Sequence, residues 1–186
     1  MKEKDKLKSQ EREIISYLKS VNRKGINNLI RFLYDAGYFY VYGSFKHHKW
    51  RGGLAEHSLE VLKIAIKHNT KDVSRDSIII AALLHDICKV MYEFPPDKEY
   101  WGHGRRSILI LEDWLKFELT PEERRAIRFH LGYKSKTPDE ESLREFEIAK
   151  NEDLWHLIHV SDSVSAGGYP HKMYKAVETV IDKLNL

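Results

Sequence analysis

The sequence predicts an all-α single domain, a bundle of helices closed around a buried polar site, and three observations carry that prediction. Apolar residues recur every three or four positions in one segment after another, the spacing of a helix face. The run from Ile78 to Leu84 has no polar side to show to water, so as a helix it belongs in the middle of the molecule. It then delivers His85 and Asp86, side by side, into that interior. A buried carboxylate must be paired, hydrogen-bonded or bound to a cation, and a metal ion is the simplest resolution.

Taken in order, residues from about Lys4 to Leu18 are charged, with Ile14, Ile15 and Leu18 at helical spacing, a surface helix with one narrow apolar edge. A second helix from Ile26 to Ala36 offers Leu29, Ile30, Phe32 and Leu33 to the core, and Gly37 suits the left-handed residue that ends it. Residues 1–37 therefore read as N-terminal scaffold. Tyr38 to Trp50 is aromatic and basic without a helical period, and reads as an extended segment leading into the site. Lys46, His47, His48, Lys49 and Arg51 make either a solvated charged loop or a cationic rim for a substrate phosphate, with His48 and Arg51 as its contacts.

The helix from about Gly53 to Lys67 puts Leu54, His57, Val61, Ile64 and Ala65 on one face, so His57 points inward. Ser74 can cap the next helix, which carries His85 and Asp86 at its far end. These two differ by about 100° in direction, yet both can grip an ion placed off the helix end. Lys89, one turn on, reads from its position as an exposed helix-end cation favoured by the dipole. Cys88 has no base paired with it in the sequence and reads as a small packing residue. Tyr92 to Trp101, with Pro95-Pro96-Asp97, is a loop at the rim.

A further helix begins near His103 and carries Ile108, Leu109, Leu111, Trp114 and Leu115 inward. Arg105 and Arg106 in its first turn oppose the dipole, a conflict that a bound phosphate would relieve. Thr120-Pro121-Glu122-Glu123 is a helix start, with Thr as cap, Pro at the first position and Glu closing a capping box. That helix runs to His130 and stops at Gly132, and Lys134 to Ser142 is a polar loop. From about Asp153 to Ala166, Leu154, Leu157, Ile158, Asp162 and Ser165 share a face, which turns Asp162 inward. His159, one turn earlier, either orients Asp162 or packs in the core. Gly167 to Pro170 reads as a turn into a C-terminal helix within residues 170–186.

His57 in GGLAEHSLEVL, His85-Asp86 in AALLHDICK and Asp162 in HVSDSVSA match the H…HD…D pattern of the HD-domain metal-dependent phosphohydrolase superfamily, which the chain resembles from about His47 to about Ala166. His103 and His130 fall where its six-ligand branch places two more histidines. The resemblance implies one HD-type helical bundle over residues 1–186 with a metal-binding core at 47–166. It also implies His57, His85, Asp86, His103, His130 and Asp162 as metal ligands, with Asp86 bridging two ions and Asp86 and Lys89 as catalytic groups. Hydrolysis of a phosphate ester of a nucleotide or short oligonucleotide by a metal-activated hydroxide is the implied activity. Lys89-Val90 stands where alarmone hydrolases of the superfamily carry Glu-Asp, and the G-Y-P letters come after the last ligand instead of lying between ligands, so neither of those branches is expected. A mixed-valent di-iron oxygenase resembling myo-inositol oxygenase and a non-catalytic nucleotide-binding sensor stay open as alternatives.

Imidazole nitrogen and carboxylate oxygen suit Mn, Fe, Co, Ni or Zn, and several imidazoles argue against Mg alone; the sequence leaves one or two ions open. Composition limits the rest. A chain of 186 residues with 42% hydrophobic content supports one well-buried domain. A net charge of +3 from 31 basic and 28 acidic residues describes a mixed surface, so extended nucleic acid is not expected as a partner; the resemblance implies a phosphorylated small molecule instead. Homo-oligomerisation stays open. One cysteine fits a reducing compartment. There is no apolar run of membrane-spanning length and no signal-peptide core in MKEKDKLKSQERE, so a cytoplasmic protein without a membrane partner is expected.

Overall fold

A computed structural model describes residues 3–44, 46–71, 73–91, 102–133 and 139–167, and the regular structure among them is helical throughout. The helices are α1 (Glu3–Ser20), α2 (Ile26–Asp35), α3 (Gly53–Lys67), α4 (Arg75–Leu84), α5 (His103–Ile108), α6 (Pro121–Arg128), α7 (Glu140–Ala149) and α8 (Asp153–Ser165). The expected rim loop at Tyr92 to Trp101 and the expected C-terminal helix lie outside the described residues. No helix among those described is long and apolar enough to cross a membrane.

α4 is the axis. Ser74 caps it by accepting the Ser77 amide at 3.4 Å, and every residue from Ile78 to Leu84 is at most 1% exposed. Each buried Ile or Leu side chain there is worth about 1.5–3 kcal/mol before the chain entropy is subtracted. α3, α6 and α8 pack against it, α3 also meets α8, and α8 meets α6. α1 crosses α3 and α4, α2 lies on α1, and α5 and α7 flank α6. The buried run therefore ends among three other helices, and His85 and Asp86 emerge in the interior.

Tyr38 to Trp50 is not simply extended. Gly37 adopts φ 68 and turns the chain into a 3-10 turn at Tyr38–Tyr40, which buries Tyr38 and Phe39. The Tyr38 hydroxyl donates to the Leu83 carbonyl at 2.7 Å and shares a hydrogen bond with Ser58 at 2.8 Å. Carbonyls in the last turn of a helix have no partner within it, so this tyrosine closes the end of α4.

After Ile108 the chain widens into a π turn at Leu109–Trp114, with the Leu115 amide donating to the Ile110 carbonyl at 3.0 Å. The extra residue per turn rotates the apolar face. Ile110 and Leu111 enter the core, while Leu109 and Trp114, expected inside, are 44% and 52% exposed.

The Thr120 capping box forms as the sequence predicts, with Glu123 donating its amide to Thr120 Oγ1 at 3.2 Å and accepting the Thr120 amide at 2.9 Å. Fully buried Glu123 also receives both Arg23 guanidinium nitrogens at 2.9 Å, tying the α1–α2 connection to α6. α6 ends at Arg128, two residues short of the expected His130. α7 was not expected. Asp139 caps it by accepting the Ser142 amide at 2.7 Å, and Glu140 and Glu141 fill its first turn, so the predicted polar loop gives way to helix by residue 140; residues 134–138 lie outside the described residues.

α5 sits directly on the end of α6. A Cβ added at Gly104 would lie 2.2 Å from the Arg128 carbonyl oxygen and 2.5 Å from that of Ile127, both main-chain atoms. Gly104→Ala is accordingly expected to destabilise the metal-free protein by about 1–3 kcal/mol, read as a lowered Tm; an unchanged Tm would show that α5 does not seat this closely.

Candidate metal centre

Four segments converge on one buried spot. α3 contributes His57, the end of α4 contributes His85 and Asp86, the turn after α6 contributes His130, and α8 contributes Asp162. The three histidines are at most 1% exposed, and Asp86 and Asp162 are 4% and 5% exposed. His57 Nε2 lies 3.0 Å from Asp162 Oδ1, 3.2 Å from His85 Nε2 and 3.9 Å from Asp86 Oδ2. His85 Nε2 lies 3.4 Å from Asp86 Oδ2 and 3.7 Å from Asp162 Oδ1, and His130 Nε2 is 3.6 Å from Asp86 Oδ1. Donors sharing one ion at about 2.0–2.2 Å are spaced about 2.8–3.6 Å apart, so the inner pairs have the separation of neighbours in one coordination sphere.

The hydrogen bonds behind the rings test that fit. His85 Nδ1–H donates to the Ala82 carbonyl at 2.9 Å and His130 Nδ1–H to the Ile127 carbonyl at 2.7 Å. His57 Nδ1 faces Ser165 Oγ at 2.9 Å, and that hydroxyl donates onward to Glu60 Oε2 at 2.8 Å, so the imidazole must be the donor to Ser165. All three rings thus keep their proton on Nδ1 and aim an Nε2 lone pair at the same place. Two such lone pairs 3.2 Å apart, on His57 and His85, repel unless a cation lies between them. A divalent ion fits this donor set.

The electrostatics agree. Burial lowers His130 to about 4, with the neighbouring His85 adding to the effect. Burial also lowers His57, against the pull of Asp162. His85 is raised: burial opposes its protonation, but the adjacent Asp86 outweighs it. Burial alone would raise the two aspartates, yet both are held well below the ordinary carboxylate range, Asp86 by Lys89 and His85, and Asp162 by the adjacent His57 and the other nearby imidazoles. Lys89 is itself 7% exposed, with Nζ 2.5 Å from Asp86 Oδ2. It is a buried partner of Asp86 and not the exposed helix-end cation of the simpler reading.

The remaining sequence candidates are more dispersed. His103 is half-buried at the start of α5, its Nδ1 3.9 Å from the buried Cys88 Sγ. Among the described residues, ligand atoms come within 4.8 Å of one another in His57–His85–Asp86, His85–His130–Asp162 and His47–His48–His57, and His103 joins none of these sets. His48 is buried, with Nε2 3.1 Å from Glu60 and Nδ1 3.0 Å from His47 Nδ1, so both ring nitrogens have protein partners. Arg51 lies over the Tyr40 ring at 4.9 Å, and Arg105 and Arg106 are exposed on α5. His159 stacks on Trp155 and donates from Nδ1 to the His130 carbonyl at 2.5 Å, so its hydrogen bond supports the main chain of His130. Sequence reasoning missed Ser107, which donates to the His85 carbonyl at 2.7 Å, and it missed Glu60 and placed Ser165 on the inward face without giving it a role. The signal for the last two was present: each lies three residues after a ligand, one helical turn on.

A protein-family model described as the HD domain matches residues 54–167. Over 50 residues the chain is 48% identical to the dihydroneopterin 2',3'-cyclic phosphate phosphodiesterase of Methanocaldococcus jannaschii, a stretch that is 23% of this chain and 20% of that protein. The chain thus spans about a fifth of the length of this curated relative. No solved structure gives a significant match.

A buried neutral histidine has a pH signature. His130 binds a proton near 6.5 when unfolded and near about 4 when folded, so the unfolded chain holds more protons between those values and stability falls as pH falls through that window. His85, shifted upward, works in the opposite sense and above 6.5. The Tm of the metal-free protein is expected to fall as pH drops from 6.5 towards 4 and to fall less in His130→Gln; a Tm that held constant or rose would contradict the burial of a neutral imidazole.

Proposed function

The chain belongs to the HD-domain family, and we propose that it is a metal-dependent phosphohydrolase whose ion is held by His57, His85, Asp86 and Asp162. The observation that carries this reading is the convergence of three imidazole lone pairs and two carboxylates in a buried pocket beside one ammonium group. A divalent ion of the Mn, Fe, Co, Ni or Zn class would supply an activated water and polarise a phosphoryl oxygen. Asp86 orients that centre. Lys89 stands next to it, where a cation offsets the charge of a phosphate in reaction.

The proposal extends to a second ion held with His103 and His130. Asp86 supports it by dividing its oxygens, Oδ1 facing His130 and Oδ2 facing His57 and His85. A carboxylate split in this way is suited to bridging. For the substrate we propose a phosphate ester of a nucleotide or short oligonucleotide, with Arg51, Arg105 and Arg106 as phosphate contacts at the rim. His48 is reassigned from that role to support, because Glu60 and His47 occupy its ring. The name of the matched relative specifies a cyclic phosphate, so cyclic phosphodiesters belong among the substrates tested.

Metal content per chain, measured on wild type and His103→Ala purified without chelator, is expected near two and near one. One ion in both would reduce the centre to a mononuclear one. The metal-loaded protein is expected to hydrolyse a member of a panel of nucleoside phosphates, cyclic phosphodiesters and short oligonucleotides. Lys89→Met should lower kcat about 10²-fold with metal content kept. Consumption of dioxygen by an iron-loaded protein that leaves the whole panel intact would overturn the hydrolase in favour of an oxygenase.

A further inference from the structure

Behind His57 a hydrogen-bonded chain runs outward from the metal centre. His57 Nδ1–H donates to Ser165 Oγ, the Ser165 hydroxyl donates to Glu60 Oε2 at 2.8 Å, and His48 Nε2 meets the same oxygen at 3.1 Å. An ionised carboxylate can only accept. Glu60 therefore fixes every proton along the chain: the serine hydrogen points to it, His57 must carry its proton on Nδ1, and His48 must carry one on Nε2. His48 Nδ1, 3.0 Å from His47 Nδ1, is then the acceptor from His47. Burial would raise Glu60, but the hydrogen bonds from His48 and Ser165 hold it below its ordinary value, so it is ionised when it does this.

The segment that brings His48 to Glu60 is held in an uncommon conformation. His48 has φ 52, left-handed backbone that a non-glycine residue rarely adopts. Its carbonyl accepts the Gly43 amide at 2.9 Å. A Cβ at Gly53 would come within 2.0 Å of that carbonyl oxygen, and one at Gly43 within 2.6 Å of His48 Cβ. Ser44 closes the loop further, its Oγ accepting the His47 amide at 3.0 Å. Glycines on both sides let the loop wrap this tightly, and backbone strain of this kind persists where the surroundings over-determine it, typically beside a functional site.

We infer that Glu60, acting through Ser165, is a positioning residue for the metal centre: it sets the tautomer and direction of His57, and the strained His48 loop holds Glu60 in place. The inference rests on the metal-centre reading but on no particular substrate. Neither Glu60 nor Ser165 would touch the ion or a substrate, and their effect passes entirely through the His57 ring.

Two readouts test it on the full chain. In the metal-free protein, 15N NMR of the imidazoles, with His57→Gln to assign the resonance, is expected to show His57 protonated on Nδ1 in wild type and a mixture of tautomers in Ser165→Ala. Zn(II) affinity, measured by competition with a chromophoric chelator, is expected to fall about 10- to 100-fold in Ser165→Ala and in Glu60→Ala. The double variant should be no weaker than the weaker single one, because both residues act along one chain. Ser165→Thr, which keeps the hydroxyl, should retain wild-type affinity. If Ser165→Ala does not fold, Glu60→Gln at a half-exposed position carries the same comparison, with weakened Zn(II) binding expected. Single variants within twofold of wild type, losses that multiply in the double variant, or an unchanged His57 tautomer would each overturn the inference. A wild type that binds Zn(II) with the expected tautomer yet hydrolyses nothing leaves it standing and sinks the hydrolase alone.

Discussion

Two carboxylates taken out of water are the constraint on which the rest of this structure depends. Asp86 and Asp162 are almost fully buried, and an ionised carboxylate left unpaired in such surroundings is prohibitively costly. The fold answers by crowding them with nitrogen: three imidazoles and the Lys89 ammonium lie within 4 Å of their oxygens. Helices and the turns at their ends place these groups. α4 is too apolar to surface, so the residues at its end are committed to the interior, and α3, α6 and α8 must present compatible partners at the same level.

The helices that present those partners are held by main-chain atoms. His85 and His130 each bond a carbonyl three residues earlier, His159 bonds the carbonyl of His130, and Ser107 bonds that of His85. Rings fixed in this way cannot rotate away when the centre is empty, so the arrangement is prepared before any ion arrives. The Arg23–Glu123 pair does similar work at larger scale, holding the N-terminal helices against α6 with a fully buried carboxylate of its own.

Much of this was legible in the sequence, for identifiable reasons. His57 and Asp162 were readable because each sits in helical phase with apolar neighbours, and the caps at Ser74 and Thr120 because capping depends on a few adjacent residues. The exposure of Leu109 and Trp114 was not, since a π turn breaks the 3.6-residue period on which such a reading depends. Tyr38 was misjudged as part of an extended segment because its burial depends on a carbonyl 45 residues away. α7 was overlooked although Asp139 and two glutamates announce its start, its apolar face being short. Ser165 was legible as a residue facing inward beside Asp162, but its pairing with Glu60 was not, because the two meet only when the fold brings α3 and α8 together.

The stacking of Trp155 on His159 has an optical consequence. The two rings are nearly parallel, 4.8 Å apart with an 8° tilt, and the indole N–H is fixed to the Phe129 carbonyl at 2.8 Å. Trp155 is buried whereas Trp50 and Trp114 are half exposed, so its emission lies to the blue of theirs. Since the ring stacked on this indole also grips the backbone of His130, a movement of that wall would shift the two rings against each other, and Trp155 is placed to report it.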